Sequence, residues 1–171
     1  TGFGGMRVKK CICVVFMAVS AAAFAGDTKK ELNPKFPVVG GTMKVTNEWS
    51  LELPEKFNRR FEDGSMVIWR PEFTIWISVW ENENKKSPYD QLDYIRADKS
   101  KDAFDITEMK SADIYRYSYR IDEYREEAKK TVYAFYGYVA GKSGYTQIAF
   151  YYDKQADLDE AKKIWLSIKE L

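Results

Sequence analysis

The sequence contains no histidine, and its two cysteines, Cys11 and Cys13, both lie near its start. Without imidazole or a later thiol, the chain offers no Ser-His-Asp or Cys-His nucleophile and no His/Cys site for zinc or copper. Carboxylates remain, but neighbours such as Asp122 and Glu123 point to opposite faces of a strand and do not form a paired acid site by themselves. We therefore predict a protein that is not an enzyme and that needs no cofactor and no metal.

Neither sign of charge is in clear excess, because the sequence has 27 basic and 26 acidic residues. Nucleic acids and anionic membrane surfaces select a concentrated basic surface. The near balance therefore argues against both as partners.

The sequence also has no long apolar run, but a short apolar run lies near its start. Residues 1–5 precede the first methionine, and we interpret them as vector-derived or upstream residues. Residues 6–25 then have the pattern of a secretory signal peptide: a basic start with Arg7, an apolar stretch and the cleavage site Ala23-Phe24-Ala25. The stretch is shorter than the about 20 apolar residues of a membrane span. Cleavage would release a periplasmic or secreted protein without cysteine, and the alternative is an uncleaved anchor.

After the predicted cleavage site the chain has the length of one domain. Residues 26–41, with two prolines and a Gly-Gly pair, predict a flexible leader or a strap across the surface. Alternating apolar and polar residues then predict strands at 43–53, 65–70, 73–81, 114–122, 131–140 and 145–152. We expect Pro54 to end the first of these and a glycine-bounded turn at 141–144 to join the last two.

Two helices are predicted between and after these strands. Ser87 and Pro88 are a typical N-cap and first helical residue, which predicts a helix over 88–97. At the end of the chain, Asp157 and Glu160 have the spacing of a capping box. The apolar stripe behind them predicts an amphipathic helix over 157–171, with Trp165 at its centre.

Together these elements predict a single α+β domain over 42–171: an antiparallel sheet or sandwich with a mid-chain helix and a C-terminal helix packed on it. The order of the elements resembles the PsbP/Mog1-like fold. The residues that carry this resemblance are Trp49-Ser-Leu-Glu-Leu-Pro54, then the Glu62-Asp-Gly64 turn, then the meander that leads to the final helix. That family includes exported proteins of the DcrB type. The resemblance implies a non-catalytic accessory or binding protein, and it carries over no functional residue.

Six residues are candidates for a binding surface because each pair shares one face of its strand. They are Trp76 and Trp80, Arg116 and Arg120, and Tyr136 and Tyr138. If these faces coincide, they form an aromatic platform edged by arginine, and Trp, Tyr and Arg are the residues enriched at binding hot spots. The alternative is that this face packs inside a sandwich, with the tryptophans as ordinary core.

The function predicted from these features is non-enzymatic binding of a protein partner in the cell envelope. An immunity or inhibitor protein is a specific version of it that rests on size and compartment only. The alternative is a small-ligand binder in which carbohydrate or peptidoglycan fragments stack on Trp76 and Trp80. We expect a monomer or weak dimer with no membrane anchor after cleavage.

Overall fold

A computed structural model of the chain describes residues 31–171, and the predicted signal peptide lies outside that part. Within it, nine antiparallel strands form one sheet, and three short helices pack against it. The strands are β1 (Val38–Lys44), β2 (Trp49–Glu62), β3 (Ser65–Arg70), β4 (Phe73–Glu81), β5 (Phe104–Lys110), β6 (Tyr115–Arg125), β7 (Lys130–Ala140), β8 (Gly144–Tyr152) and β9 (Lys169–Glu170). The helices are α1 (Pro88–Gln91), α2 (Asp93–Ala97) and α3 (Leu158–Ser167).

The strand order is β1-β2-β3-β4-β8-β7-β6-β5, with β9 paired to the start of β2. Because the strands form one sheet, the fold is mainly an antiparallel sheet with a few short helices, and it is not clearly a sandwich. The strands expected at 65–70 and 73–81 and the meander of β6, β7 and β8 are confirmed.

The predicted turns are confirmed, and their backbone geometry explains the residues found there. Asp63 and Gly64 both have positive φ, 48° and 79°, in the two-residue loop between β2 and β3. Mirror-image turns of this kind match the twist of the flanking strands, and glycine adopts them without strain. Pro71 and Glu72 form the loop between β3 and β4, and Glu72 has a φ of 67°.

The prediction that Pro54 ends the first long strand is wrong. Strand β2 continues to Glu62, and Pro54 lies in a bulge where the register with β1 shifts between Val39 and Gly41. A bulge tolerates proline because the missing N–H would have had no ladder partner. The predicted leader at 26–41 also overlaps β1, which begins at Val38.

The segment before β1 is tied to the sheet by one buried amide. The side chain of Asn58 accepts a hydrogen bond from the N–H of Asn33 at 2.7 Å and donates to the carbonyl of Asn33 at 2.9 Å. Phe36 packs edge-on against Trp69 on the neighbouring strand β3. Residues 33–36 therefore form the strap across the surface that was one of the two expectations for this segment.

The mid-chain helix is present but divided. Ser87 caps α1 as predicted, because its hydroxyl accepts the N–H of Asp90, and Pro88 is the first helical residue. The helical hydrogen bonding is interrupted at Leu92, so α1 and α2 are two short helices. Strand β5, Phe104–Lys110, lies outside the elements predicted from the sequence.

The C-terminal helix is shorter than predicted. It ends at Ser167, Ile168 is extended, and Leu171 is exposed instead of continuing the apolar stripe. Asp157 makes no capping hydrogen bond. Asp157 and Glu160 instead bind the buried guanidinium of Arg70, with oxygen–nitrogen distances of 3.3 and 2.7 Å. The capping box is therefore wrong, because a distant arginine takes its carboxylates.

Helix α3 covers one face of the sheet, which we call the α3 face. Ile164 and Trp165 are buried there against Phe135 and Phe150, and the rings of Phe135 and Trp165 meet edge to face. Gly137 makes this close approach possible, since a Cβ at that position would overlap the indole of Trp165. The prediction that the C-terminal helix packs on the sheet is confirmed.

The extended C-terminus holds the β7–β8 turn in place. The carboxylate of Glu170 accepts the N–H groups of Lys142 at 2.9 Å and Ser143 at 2.5 Å. Burial alone would raise the pKa of this carboxyl, but hydrogen bonds from Ser143 and Lys142 outweigh it, so the pKa lies below its usual value. The Gly-Lys-Ser sequence is thus a hairpin turn, as predicted, with its N–H groups occupied by Glu170.

Candidate binding surface

The six predicted binding residues lie on two opposite faces of the sheet. Residues directly opposite each other on paired strands point to the same side. Arg116 pairs with Val139, which belongs to the core under α3, whereas Tyr117 pairs with Tyr138 on the other side. By the same register, Trp76, Trp80, Tyr136 and Tyr138 share the second face, and both arginines lie on the α3 face. The structure does not bring together the proposed aromatic–arginine platform.

Arg116 binds the end of helix α3. Its guanidinium donates to the carbonyls of Ile168 at 2.5 Å and Leu166 at 3.3 Å. The last carbonyls of a helix lack intrahelical partners and carry partial negative charge, which a cation stabilises. Burial lowers the pKa of Arg116 below its ordinary value. Its contacts therefore give it a structural role in this arrangement.

Arg120 is held by side chains of the same face. It donates to the amide oxygen of Gln155 at 3.0 Å and approaches the carboxylates of Asp122 at 3.4 Å and Asp105 at 3.8 Å. Its guanidinium also stacks on Phe104, 4.7 Å from the ring centre. These contacts link β5, β6 and the segment before α3, and they leave the side chain mostly covered.

The second face is built largely from tyrosine, so we call it the tyrosine face. Its members come from four neighbouring strands of the sheet: Trp76, Trp80, Tyr115, Tyr117, Tyr119, Tyr136, Tyr138, Tyr145 and Tyr151. Hydroxyl pairs join Tyr119 to Tyr138 and Tyr136 to Tyr151, at 3.3 and 3.1 Å. The rings of Tyr119 and Tyr136 stack with their centres 5.1 Å apart.

Helices α1 and α2 cover one part of this face. Leu92 and Ile95 pack there against Tyr117 and Tyr138, and Tyr138 is only 5% exposed. Of the four aromatic candidates, Tyr138 is thus a core residue. The interpretation of these rings as core applies to it and not to the whole set.

The uncovered part of the tyrosine face is a band that we call the aromatic strip: Trp76, Trp80, Tyr94, Tyr136 and Tyr151. Trp80 is 46% exposed and stacks on Tyr145 with an interplanar angle of 14°. Tyr94, which reaches over from α2, is 57% exposed and hydrogen-bonds the hydroxyl of Tyr145. The buried indole N–H of Trp76 has no acceptor among residues 31–171.

Sequence reasoning did not identify Tyr94, Tyr145 and Tyr151 as part of this surface. Tyr145 and Tyr151 alternate with the residues of β8 that point to the α3 face, so the two-residue period places them on one face, but strand order decides which neighbours they meet. Tyr94 comes from a helix, and its contact with β8 spans 51 residues of sequence. Local pattern alone holds no indication of that contact.

Burial raises the pKa of several hydroxyls on this face. It raises the pKa of Tyr136, Tyr138 and Tyr145 far above the ordinary tyrosine value, with further contributions from neighbouring tyrosines. Burial also raises the pKa of Tyr115 to about 12. Tyr136 is the member of the strip among these groups, and at neutral pH it offers a ring and a neutral hydroxyl.

Two clefts open elsewhere on the surface of the described residues. One, of about 240 Å³, lies at the end of β4 beside Trp80 and is lined by Glu48, Glu81, Asn82, Glu83 and Ser143. The other, of about 410 Å³, lies at the bulge between β1 and β2. The first is smaller than the about 300–1,000 Å³ of typical small-molecule sites, and the second lies at the small end of that range.

No helix of residues 31–171 is long and apolar enough to cross a membrane. Within the same range, no three acidic side chains gather as a group that could hold a metal ion.

Comparisons with known proteins support the fold but not a family. No protein-family model and no curated protein matches the sequence. A crystal structure of a protein from Bacteroides thetaiotaomicron VPI-5482 is similar, with a TM-score of 0.57 and 12% identity over 78% of this chain. The match covers 49% of that protein, so this chain spans about half its length. A likeness at this identity shows the fold alone. The resemblance to the PsbP/Mog1-like fold stays a prediction.

Proposed function

We propose that this protein is an exported, non-enzymatic binding protein that engages a protein partner of the cell envelope through the aromatic strip. The observation that supports it is the exposure of Trp80 and Tyr94 beside the half-buried rings of Trp76, Tyr136 and Tyr151. Protein interfaces have an apolar, aromatic centre with polar residues around it. The strip matches that description, since Glu123 and Arg125 lie at one end of the same face and Arg96 at the other.

The arginines are left out of this proposal. In the sequence-based hypothesis Arg116 and Arg120 edged the binding platform, but their contacts on the α3 face already occupy them. Binding through the strip would therefore depend on rings and tyrosine hydroxyls. An immunity or inhibitor protein remains a specific version of this proposal, and it still rests on compartment and size.

The test compares aromatic residues on the two faces. The double substitution of Trp76 and Trp80 by alanine removes the centre of the strip. The matched control is Tyr124→Ala, because Tyr124 is 62% exposed and pairs with Thr131 on the α3 face. In affinity capture from an envelope extract, we expect wild type and the control to retain a stoichiometric partner and the double variant to lose it. Equal recovery with all three proteins would contradict the proposal.

Stability measurements separate lost binding from lost folding. Trp80 is half-exposed, so Trp80→Ala alone should change the free energy of unfolding by less than about 1 kcal/mol. The single variant should still weaken capture. A cooperative urea transition close to that of wild type shows that the loss arises at the surface.

The export part of the proposal rests on residues 6–25, which lie outside the described part of the chain. Intact-mass measurement of the protein expressed with its full leader in a Gram-negative host should show a mature chain that begins at Gly26. A retained Met6 start would contradict cleavage at that site.

The cleft beside Trp80 favours one second candidate, the binding of carbohydrate or peptidoglycan fragments. Its carboxylates, Glu81 and Glu83, would accept hydrogen bonds from sugar hydroxyls while a sugar ring stacks on the indole. A saturable change in tryptophan fluorescence with glycan fragments, abolished by Trp80→Ala and retained in Tyr124→Ala, would favour this function over a protein partner.

A further inference from the structure

The two terminal strands of the sheet differ in how their free edges are protected. Strand β1 follows Pro37 and loses its regular pairing at Gly40, opposite the bulge of β2, and the next residue, Gly41, has a φ of 68°. Proline and bulges are devices that keep an edge strand from pairing with another chain. Strand β5, at the opposite end, is bulged only at its start and pairs regularly with β6 from Thr107 to Lys110.

Strand β5 is also exposed along nearly its whole length. Six of its seven residues are exposed, and the seventh, Thr107, is intermediate. Three of the exposed residues are large and apolar: Phe104 is 40%, Ile106 47% and Met109 46% exposed. An apolar edge strand with a free row of backbone N–H and C=O groups is a template for pairing with another strand.

The regular half of β5 has a simple charge pattern. Register with β6 places Glu108 and Lys110 on the tyrosine face, and Thr107 and Met109 on the α3 face. Among residues 31–171, neither Glu108 nor Lys110 forms a salt bridge with another side chain. A positive and a negative charge two residues apart on one face are complementary to the same pair running in the opposite direction.

We propose that β5 pairs antiparallel with β5 of a second copy of this chain, about a two-fold axis at Met109. An axis perpendicular to the sheet keeps the same face of both copies on the same side, and it makes the interface self-complementary. Glu108 of each copy then lies opposite Lys110 of the other, and the two Met109 side chains meet on the α3 face. Oppositely charged residues directly across an antiparallel pair stabilise it.

Other registers of the same pairing are less favourable. An axis at Glu108 or at Lys110 places two like charges directly opposite each other, which destabilises the pair. An axis at Thr107 leaves Lys110 opposite Phe104 and brings the bulged residue Asp105, with a φ of 51°, into the ladder. Among the regular residues of β5, Met109 is the centre that pairs opposite charges, and this selects a second copy as the occupant of the edge.

Charge reversal tests both the dimer and its register. Sedimentation velocity over a concentration series should show a reversible dimer for wild type. Lys110→Glu and Glu108→Lys should each raise the dissociation constant on the order of tenfold, because every cross-strand pair becomes repulsive. The double swap, Glu108→Lys with Lys110→Glu, should restore dimerisation. Lys44→Glu on the opposite terminal strand β1 is the matched control and should leave the dissociation constant unchanged.

Each possible result either supports or contradicts the β5–β5 dimer. A wild-type protein that stays monomeric at the highest concentration overturns it, and so does a double swap that fails to restore the dimer. Equal effects of Lys110→Glu and Lys44→Glu would indicate another interface or a general charge effect, and they also overturn it. Circular dichroism of each variant establishes that it folds, and hydrogen exchange at 107–110 should slow as wild-type concentration rises.

Discussion

On the α3 face of the sheet, Phe135, Phe150 and Trp165 are almost completely inaccessible, whereas on the tyrosine face Trp80 and Tyr94 are about half exposed. Both faces are aromatic, but the α3 face is rich in phenylalanine and is covered by a ten-residue helix. The second is tyrosine-rich and covered in part by two helices of four and five residues. Ring content alone therefore does not distinguish core from surface, and neither does the hydroxyl, because Tyr117 and Tyr138 are buried while Trp80 is half exposed. The difference lies in how much of each face the helices cover.

The arginines of the α3 face show that charged side chains are also found in the buried part of the molecule. Arg70, Arg116 and Arg120 are largely buried, and each satisfies carboxylates or carbonyls of elements that are far away in sequence. On the α3 face, arginine holds helix α3 at both ends: Arg70 at its start and Arg116 after its last turn. We expect substitutions on that face to affect stability, and substitutions in the aromatic strip to affect binding.

The largest effect is expected from Arg70→Met. The substitution leaves Asp157 and Glu160 without their cation while both remain largely covered. Breaking a buried pair on one side costs about 3–5 kcal/mol, and partial solvation of these carboxylates favours the lower end. Urea denaturation should show this loss. Arg60→Met is the control, because Arg60 and Glu62 are each 40% exposed and such pairs contribute about 1 kcal/mol or less.

Gly137→Ala should cost about 1–3 kcal/mol, because the new methyl group would overlap the indole of Trp165. The overlap involves a ring that is fixed in the core, so the helix must shift. Combining the change with Trp165→Phe should be less costly than the sum of the two single changes, which a double-mutant cycle measures. Strict additivity would mean that α3 does not approach β7 as closely as described.

Arg116→Ala should destabilise the protein by about 2 kcal/mol, since the carbonyls of Leu166 and Ile168 lose a charged donor. Binding by the folded variant should equal that of wild type, because Arg116 lies on the face opposite the aromatic strip. Arg125→Ala, at an exposed pair with Glu123, is the control for stability. Loss of partner binding without loss of stability would move the binding surface to the α3 face.

The alternation of residues in β4, β6, β7 and β8 predicted each strand and both of its faces. What it did not determine is which faces coincide. A slip of one residue in the turn at 126–129 would pair Arg120 with Tyr136 instead of Phe135, and every side chain of β6 would change sides. The boundary of a turn cannot be read to one residue from composition, so the aromatic–arginine platform depended on an unknown register.

Long-range partners explain the other differences. Asp157 and Glu160 have the spacing of a capping box, but Arg70 lies 87 and 90 residues away in sequence and competes for their carboxylates. A proline usually ends a strand, but Pro54 lies in a bulge opposite Gly40, and the strand continues. In each case the residues have the local preference that the sequence indicates, but a contact that forms only in the folded state overrides that preference.

The smallest effect is expected from Glu170→Gln, which weakens the hydrogen bonds to the turn between β7 and β8. At neutral pH we expect a loss of about 1 kcal/mol, reduced by the partial exposure of the side chain. The folded-state pKa of this carboxyl is lowered, so its contribution is present above the unfolded-state pKa and is lost as the pH falls through the folded value. Wild type and variant should therefore differ at pH 7, and the difference should begin to fall near the ordinary glutamate pKa and vanish below the lowered folded-state pKa. A difference that persists in acid would mean that Glu170 acts through packing and not through its charge.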